Sequence, residues 1–142
     1  MEGKMYYRIR QLYRFLFVPY KKKYNYFVRL FLNKEEYELF KNMKRYDKVH
    51  SFAVLIGILR TGYNEKYPIL AKLALLHDVG KSKNYTLLDR ILAVFRKDIR
   101  HCQNGYAMLK NINEDLAHYV LCHHDKSYDE ILRIFKEIDN KN

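Results

Sequence analysis

The stretch LAKLALLHDVGKSK, residues 70–83, is the part of the sequence that most limits how the chain can fold. In a helix, Leu73 and Ala74 share a face with His77, and Ala74 shares the neighbouring face with Asp78. Both polar side chains therefore end apolar stripes on the buried side of the helix. An unpaired buried carboxylate is costly, so Asp78 predicts a cation close to the end of this helix.

The rest of the sequence favours a single all-α domain. The chain has 142 residues, enough for one domain with a sizeable core, and 49% of them are apolar, which argues against disorder. Only five glycines and two prolines interrupt it. Long helical patterns dominate, and no alternating strand pattern competes with them.

The cysteines and the N-terminus indicate a cytoplasmic protein. Cys102 and Cys122 lack the CxxC spacing of a metal site, so we expect two reduced thiols. The N-terminus has no pattern of a cleavable leader. The longest uninterrupted apolar run, residues 52–59, is too short to cross a bilayer.

Capping signals divide the chain into helices. Asn33 and Glu36 form a variant of the capping box, with Leu32 and Tyr37 placed for a hydrophobic staple. This box opens a helix over about 34–44. Further helices are predicted over about 47–61 (ending at Gly62), 68–77 (with Pro68 in its first turn), 86–95, 101–110 and 114–124, and a last one after a second capping box at Ser127 and Glu130.

Residues 1–33 form a basic, aromatic extension of the helical domain predicted over 34–142. They contain eight Lys or Arg and one acid, a net charge of +7, whereas the remaining 109 residues carry +4. We favour one or two short amphipathic helices whose aromatics pack on the domain. The same composition fits two other roles, RNA binding through stacking and phosphate contacts, and contact with an anionic membrane.

The same stripe analysis finds further polar residues where apolar ones are expected. The histidines are His50, His77, His101, His123 and His124, and the acids are Asp78 and Asp139. His118 lies on a different helix face and is predicted to be an ordinary surface or half-buried histidine. Convergence of these imidazoles and carboxylates predicts a divalent transition metal, Mn, Fe, Co, Ni or Zn.

Five short segments, in order, resemble the HD-domain metal-dependent phosphohydrolase superfamily. They are VHSFAVL, LALLHDVGK, HCQNGYAML, CHHD and a late EIDN, and they cover roughly residues 45–140. An LLHDVGK segment after an upstream HS is a specific signal, whereas a lone His-Asp pair is not. The chain lacks a GYP segment after its His pair, which disfavours the branch that hydrolyses cyclic di-GMP.

The resemblance implies an all-helical domain and a ligand set for one or two metal ions. It assigns His50, His77, Asp78 and Asp139 to the first ion, and His101, His123 and His124 to the second. Asp139 follows His124 by only fifteen positions, so Asp125 and Asp129 are rival final ligands, although their place before or in the first helical turn favours a capping or helix-dipole role for both. We retain Asp139.

The implied function is a metal-dependent phosphomonoesterase or phosphodiesterase. It would act on a nucleotide or a similar small phosphoester through a metal-activated water. Asp78 and Lys81 are the predicted catalytic residues, Lys81 and Arg45 (and, more weakly, Lys48) the phosphate contacts, and Gly80 permits the turn after the metal-binding pair. The alternatives are a non-catalytic module that binds metal and nucleotide or associates with RNA, and a purely structural metal. The sequence predicts no oligomeric state.

Overall fold

The computed structural model describes residues 2–82, 86, 88–89, 100–126 and 129–142. Within these ranges the regular structure is helical, and the all-α prediction is confirmed. The helices are α1 (Glu2–Phe17), α2 (Tyr24–Val28), α3 (Lys34–Lys41), α4 (Arg45–Thr61), α5 (Tyr63–Lys66), α6 (Ile69–Leu76), a short 3-10 helix (Val79–Ser82), α7 (Arg100–Leu109), α8 (Glu114–Cys122) and α9 (Glu130–Lys141). The helix predicted over 86–95 falls largely outside the described residues.

The capping signals place most helix ends correctly. The Asn33 side chain accepts a hydrogen bond from the Glu36 backbone at 2.9 Å, and the Glu36 carboxylate accepts one from the Asn33 backbone at 2.9 Å. Gly62 ends α4 with a φ of +75°, in the left-handed region that glycine adopts without strain. The last helix is present as predicted, and Asp129 caps it through the Leu132 backbone N–H, whereas the predicted capping box starts at Ser127. Ser127 lies outside the described residues.

Helix α6 lies at the centre of the molecule. It packs against α3, α4, α5, α8 and α9, and six of its eight residues are buried. A helix enclosed in this way has little access to water, so the residues that directly follow it are delivered into the core. These residues are His77, which is 1% exposed, and Asp78, which is 4% exposed.

Glycines allow the helices around α6 to approach closely. A Cβ built on Gly57 would lie 2.7 Å from Ile138 Cγ2, so glycine is needed where α4 meets α9, as its place on the His50 face predicts. A Cβ on Gly80 would lie 1.9 Å from the His101 carbonyl oxygen and 2.7 Å from the Gly105 nitrogen. Gly80 does not have a positive φ. The turn-forming role predicted for Gly80 is therefore wrong, and the residue provides space for the backbone of α7.

The side chain of Glu36 connects α3, α6 and α8. Its carboxylate is fully buried and accepts hydrogen bonds from Lys72 Nζ at 2.6 Å on α6 and from Asn113 Nδ2 at 2.9 Å at the start of α8. Burial disfavours its charged form, but the hydrogen bonds from Asn113, Lys72 and the Asn33 backbone outweigh this and hold the pKa of Glu36 below its ordinary value. One capping residue thus also stabilises the packing of α3 on α6 and α8.

The N-terminal segment consists of two parts with different packing. After α1, the aromatics contact the domain: Tyr24 stacks on Phe52 with ring centroids 4.6 Å apart, and Phe27 lies edge-on to the same ring. In α1, by contrast, Tyr6, Tyr13 and Phe17 are 61–68% exposed. The expectation that the aromatics pack on the domain therefore fails for these three residues of α1.

No helix in the described part of the chain is long and apolar enough to cross a membrane.

Candidate metal centre

Three side chains from three helices form the first group of possible ligands. His50 lies on α4, His77 follows the last residue of α6, and Asp139 lies on α9. The Oδ1 atom of Asp139 is 3.0 Å from His50 Nε2 and 3.6 Å from His77 Nε2. These three ligand atoms are close enough together to hold one metal ion.

Three histidines from α7 and the end of α8 form the second group. The Nε2 atom of His101 is 3.4 Å from His123 Nε2 and 3.2 Å from His124 Nε2. His101 and His123 are 2% and 1% exposed, and His124 is partly buried. Together with the neighbouring Cys102, these histidines form a group that could hold a metal ion.

Asp78 lies between the two groups and contacts both. Its Oδ2 atom is 3.4 Å from His77 Nε2, and its Oδ1 atom is 3.3 Å from His101 Nε2. Because the two oxygens of one carboxylate face different histidine groups, Asp78 could be shared between them if each group held a metal ion. The structure thus brings together all seven residues of the predicted ligand set.

The hydrogen bonds of two imidazoles orient their ring nitrogens. His77 Nδ1 donates to the Ala74 carbonyl at 2.9 Å, and His123 Nδ1 donates to the Val120 carbonyl. Since a carbonyl only accepts, the Nδ1 atom carries the proton, and in a neutral ring the Nε2 atom has a free lone pair. Backbone carbonyls often fix the tautomer of metal-binding histidines in this way.

The lone pair of His77 faces negative charge. His77 Nε2 is buried and makes no hydrogen bond with any described residue, while Asp78 and Asp139 lie 3.4 and 3.6 Å away. A lone pair directed at two carboxylates is unfavourable unless a cation lies between them. The buried atoms of this group therefore fit a divalent metal ion.

Burial favours the neutral form of the three imidazoles in the second group, and the surrounding charges favour ionised carboxylates. Burial lowers the pKa of His101 to about 4 and also lowers the pKa values of His123 and His124. Burial opposes ionisation of Asp78 and Asp139, but the surrounding histidines, and Lys81 beside Asp78, lower the pKa of both acids. Neutral nitrogens and anionic oxygens are the forms that bind metals.

The pKa values of His50 and Lys81 are both raised by neighbouring carboxylates. Burial alone would lower the pKa of His50, but its hydrogen bond to Asp139 raises it overall. Lys81 Nζ lies 3.0 Å from Asp78 Oδ2. Burial likewise opposes the charge of Lys81, and the charges of Asp78 and Asp47 raise its pKa above the ordinary value. Lys81 is therefore part of the buried network and not a solvated loop residue.

Two residues near the centre were not identified from the sequence. Cys102 Sγ lies 3.8 Å from both His101 Nε2 and His123 Nδ1, and burial raises the pKa of its thiol to about 12. Its position directly after His101 is the sequence signal that could have identified Cys102.

Asp47, 4% exposed, acts on Lys81 through its charge. Its spacing of three residues before His50 puts it on the same helix face.

Other candidates have different surroundings. Arg45 donates from Nη1 to the Val18 carbonyl at 2.6 Å and lies over the Tyr46 ring, so its predicted phosphate contact rests on the sequence alone. The Lys48 ammonium lies over the rings of Tyr20 and Phe40.

The rival acids Asp125 and Asp129 and the sixth histidine, His118, are not among the residues of the two ligand groups. Asp129 caps α9, as its alternative role predicts, and Asp125 is exposed. Asp139 is the late carboxylate that contacts the histidines. His118 is exposed and contacts Tyr106.

Comparison with known proteins gives one match. Residues 48–141, well over half of the chain, match the family model described as the HD domain. The curated proteins and the solved structures give no significant match. The matched range contains every residue of the two ligand groups and Asp78.

Proposed function

The chain belongs to the HD domain family, and from this membership we propose that it is a metal-dependent phosphohydrolase. Its substrate is a nucleotide or a similar small phosphoester. Members of this family are generally metal-dependent phosphohydrolases, and the two ligand groups could each hold a metal ion.

The observation that carries the proposal is the position of Asp78. Its two oxygens face His77 on one side and His101 on the other, at 3.4 and 3.3 Å. A single structural ion needs about four ligands, and the two ligand groups together with Asp78 offer more than four. The arrangement suits a two-metal hydrolytic site.

The chain's own residues supply the framework for hydrolysis. When bound, divalent metal would supply acidity to a water molecule and positive charge for the phosphoryl oxygens. The tautomers fixed by Ala74 and Val120 keep the Nε2 atoms of His77 and His123 free for coordination. Lys81, whose Nζ lies 3.0 Å from Asp78 Oδ2, would offer its ammonium group to a phosphate oxygen of the substrate.

The first test combines metal content with turnover. Elemental analysis of tag-free protein purified without chelator should give about two ions per chain for a site of this kind. Nucleoside monophosphates, dinucleotides and cyclic dinucleotides would then be assayed with added Mn²⁺, Fe²⁺ or Co²⁺. Metal binding without turnover of any phosphoester would favour the non-catalytic binding module instead.

Matched variants connect the activity to the site. Asp78→Ala should lose bound metal and turnover together, whereas Asp115→Ala, at an exposed acid on α8, should keep both. Likewise His101→Ala should lose metal, and His118→Ala should not. Full activity of Asp78→Ala on every substrate would refute the proposal.

Lys81→Ala separates substrate contact from metal binding. Loss of a charge-assisted hydrogen bond, worth about 1.5–3 kcal/mol, predicts a decrease in kcat/KM of roughly tenfold to a hundredfold with unchanged metal content. Lys41→Ala, at an exposed lysine, is the control. If Lys81→Ala removes the metal, the residue has a structural role.

A further inference from the structure

Helix α1 presents a broad apolar face to solvent. Met5, Ile9, Tyr13 and Leu16 follow the three- and four-residue spacing of one helix face, and Tyr6 and Phe17 extend it. These six side chains are between 38% and 68% exposed. Exposed apolar residues on soluble proteins are usually scattered singly. A contiguous exposed apolar surface therefore usually marks an interaction site.

Cations border this face. Arg8 and Arg10 are exposed, and each lies beside the apolar residues in the helical order. Lys21, Lys22 and Lys23 follow α1 within six residues and are also exposed. With one acid in residues 1–33, the whole segment carries +7. An apolar face bordered by Arg and Lys is the pattern of a helix that lies in a membrane interface.

The opposite side of α1 is fixed to the domain. The helix packs against α4, and Arg14 Nη1 donates to the Asn142 carbonyl at 2.9 Å. The apolar face therefore points outward from a helix that already has a defined position. Since no helix in the described part of the chain is long and apolar enough to cross a bilayer, the face can lie on a membrane but not span it.

We propose that α1 binds the protein to the surface of anionic membranes. Met5, Ile9 and Leu16 enter the acyl region, the aromatic rings lie at the headgroup level, and the Arg and Lys side chains contact lipid phosphates. RNA explains the face less well, because aliphatic side chains offer no ring for base stacking. A second copy is disfavoured, because the contact would bring two segments of +7 together.

Sedimentation with lipid vesicles tests this binding on the full chain. The protein should pellet with vesicles of phosphatidylcholine and phosphatidylglycerol in equal parts and remain in solution with phosphatidylcholine alone. Ile9→Glu combined with Tyr13→Glu should reduce the bound fraction at least tenfold, since both carboxylates enter the interface. Both residues are exposed, so the fold should be retained, which circular dichroism checks.

Tyr63→Glu is the matched control, because Tyr63 is 43% exposed on α5, outside the α1 face. It should bind vesicles as the natural chain does. The chain has no tryptophan, so Phe17→Trp adds a single reporter whose emission should shift to the blue with anionic vesicles, unlike Tyr63→Trp.

Three outcomes would overturn the proposal. The first is no binding to anionic vesicles, and the second is equal binding by the Ile9→Glu, Tyr13→Glu variant. The third is binding of a single-stranded RNA or self-association in place of vesicles.

Discussion

The buried carboxylate of Glu36 determines the first prediction at the scale of a single residue. Glu36→Ala removes the partner of Lys72 and Asn113 in the interior. Breaking a buried pair from one side costs about 3–5 kcal/mol, and because Lys72 is 27% exposed we expect the lower end, about 3 kcal/mol. Urea denaturation measures this loss. Glu38→Ala, which breaks the exposed pair with Lys41, should cost less than about 1 kcal/mol.

The contribution of Glu36 should also depend on pH. Its pKa in the folded protein is lower than the ordinary value of 4.5, so the folded state favours the ionised form. Its stabilising effect is therefore fully present above pH 4.5 and is lost as the pH falls through the folded pKa. The difference in unfolding free energy between the natural chain and Glu36→Gln should decrease below pH 4.5. A difference that stays constant down to pH 3 would contradict this.

Single residues also mark what the sequence could and could not predict. His77 and Asp78 were found because apolar stripes predict burial, and the structure buries both. Cys102 was missed, since stripes identify a buried face but give no distance to a side chain on another helix. The role of Gly80 was misassigned for the same reason, because the His101 carbonyl that requires a glycine there lies on α7.

At the scale of elements, the contact between the 3-10 helix and α7 determines the position of the second ligand group. A Cβ on Gly80 would lie 1.9 Å from the His101 carbonyl oxygen. Because this oxygen belongs to the backbone of α7, it cannot rotate away from the added Cβ as a side chain could. We therefore expect Gly80→Ala to displace α7, lower the unfolding free energy by more than about 2 kcal/mol and reduce metal content. Thermal denaturation and elemental analysis measure the two effects.

Gly62→Ala is the control for Gly80→Ala. Gly62 has a positive φ, so alanine there costs about 1–2 kcal/mol in backbone strain, but its added Cβ meets no neighbouring atom. Metal content should therefore remain unchanged. If Gly80→Ala also retains all its metal, the close approach of α7 does not determine the geometry of the centre.

Helix boundaries were predictable where local chemistry sets them. The Asn33 capping box and the left-handed Gly62 act within a few residues, and both are confirmed. For α9 the sequence offers two candidate caps, Ser127 and Asp129, and the structure shows Asp129 in this role. The packing of α4 on α6, and of α7 on α8, depends on contacts between distant residues and was not predictable from periodicity.

At the scale of the whole molecule, we expect metal to stabilise the fold. The ligands come from α4, α7 and α9 and from the ends of α6 and α8, so an ion that binds only the folded chain favours it by mass action. At a metal concentration of 100 times the Kd the gain is about 2.7 kcal/mol, which corresponds to a rise in Tm of roughly 5–10 °C. Differential scanning calorimetry after chelation and reloading with Mn²⁺ measures the change.

The Asp78→Ala variant provides the comparison for this stabilisation. Because Asp78 contacts both ligand groups, its removal should abolish most of the metal-dependent rise in Tm. An equal rise in the variant would place the stabilising ion elsewhere on the chain.

The ligand contacts also have a consequence for folding kinetics. The contact between His50 and Asp139 joins residues 89 positions apart, so the chain must close a long loop before this part of the centre exists. The neighbouring pairs His77–Asp78 and His123–His124 are already adjacent in the unfolded chain. Metal added before folding is complete can be chelated by these local pairs and hold the chain in incomplete conformations. We therefore expect metal to bind correctly only after this loop has closed, when α9 has brought Asp139 into contact with His50.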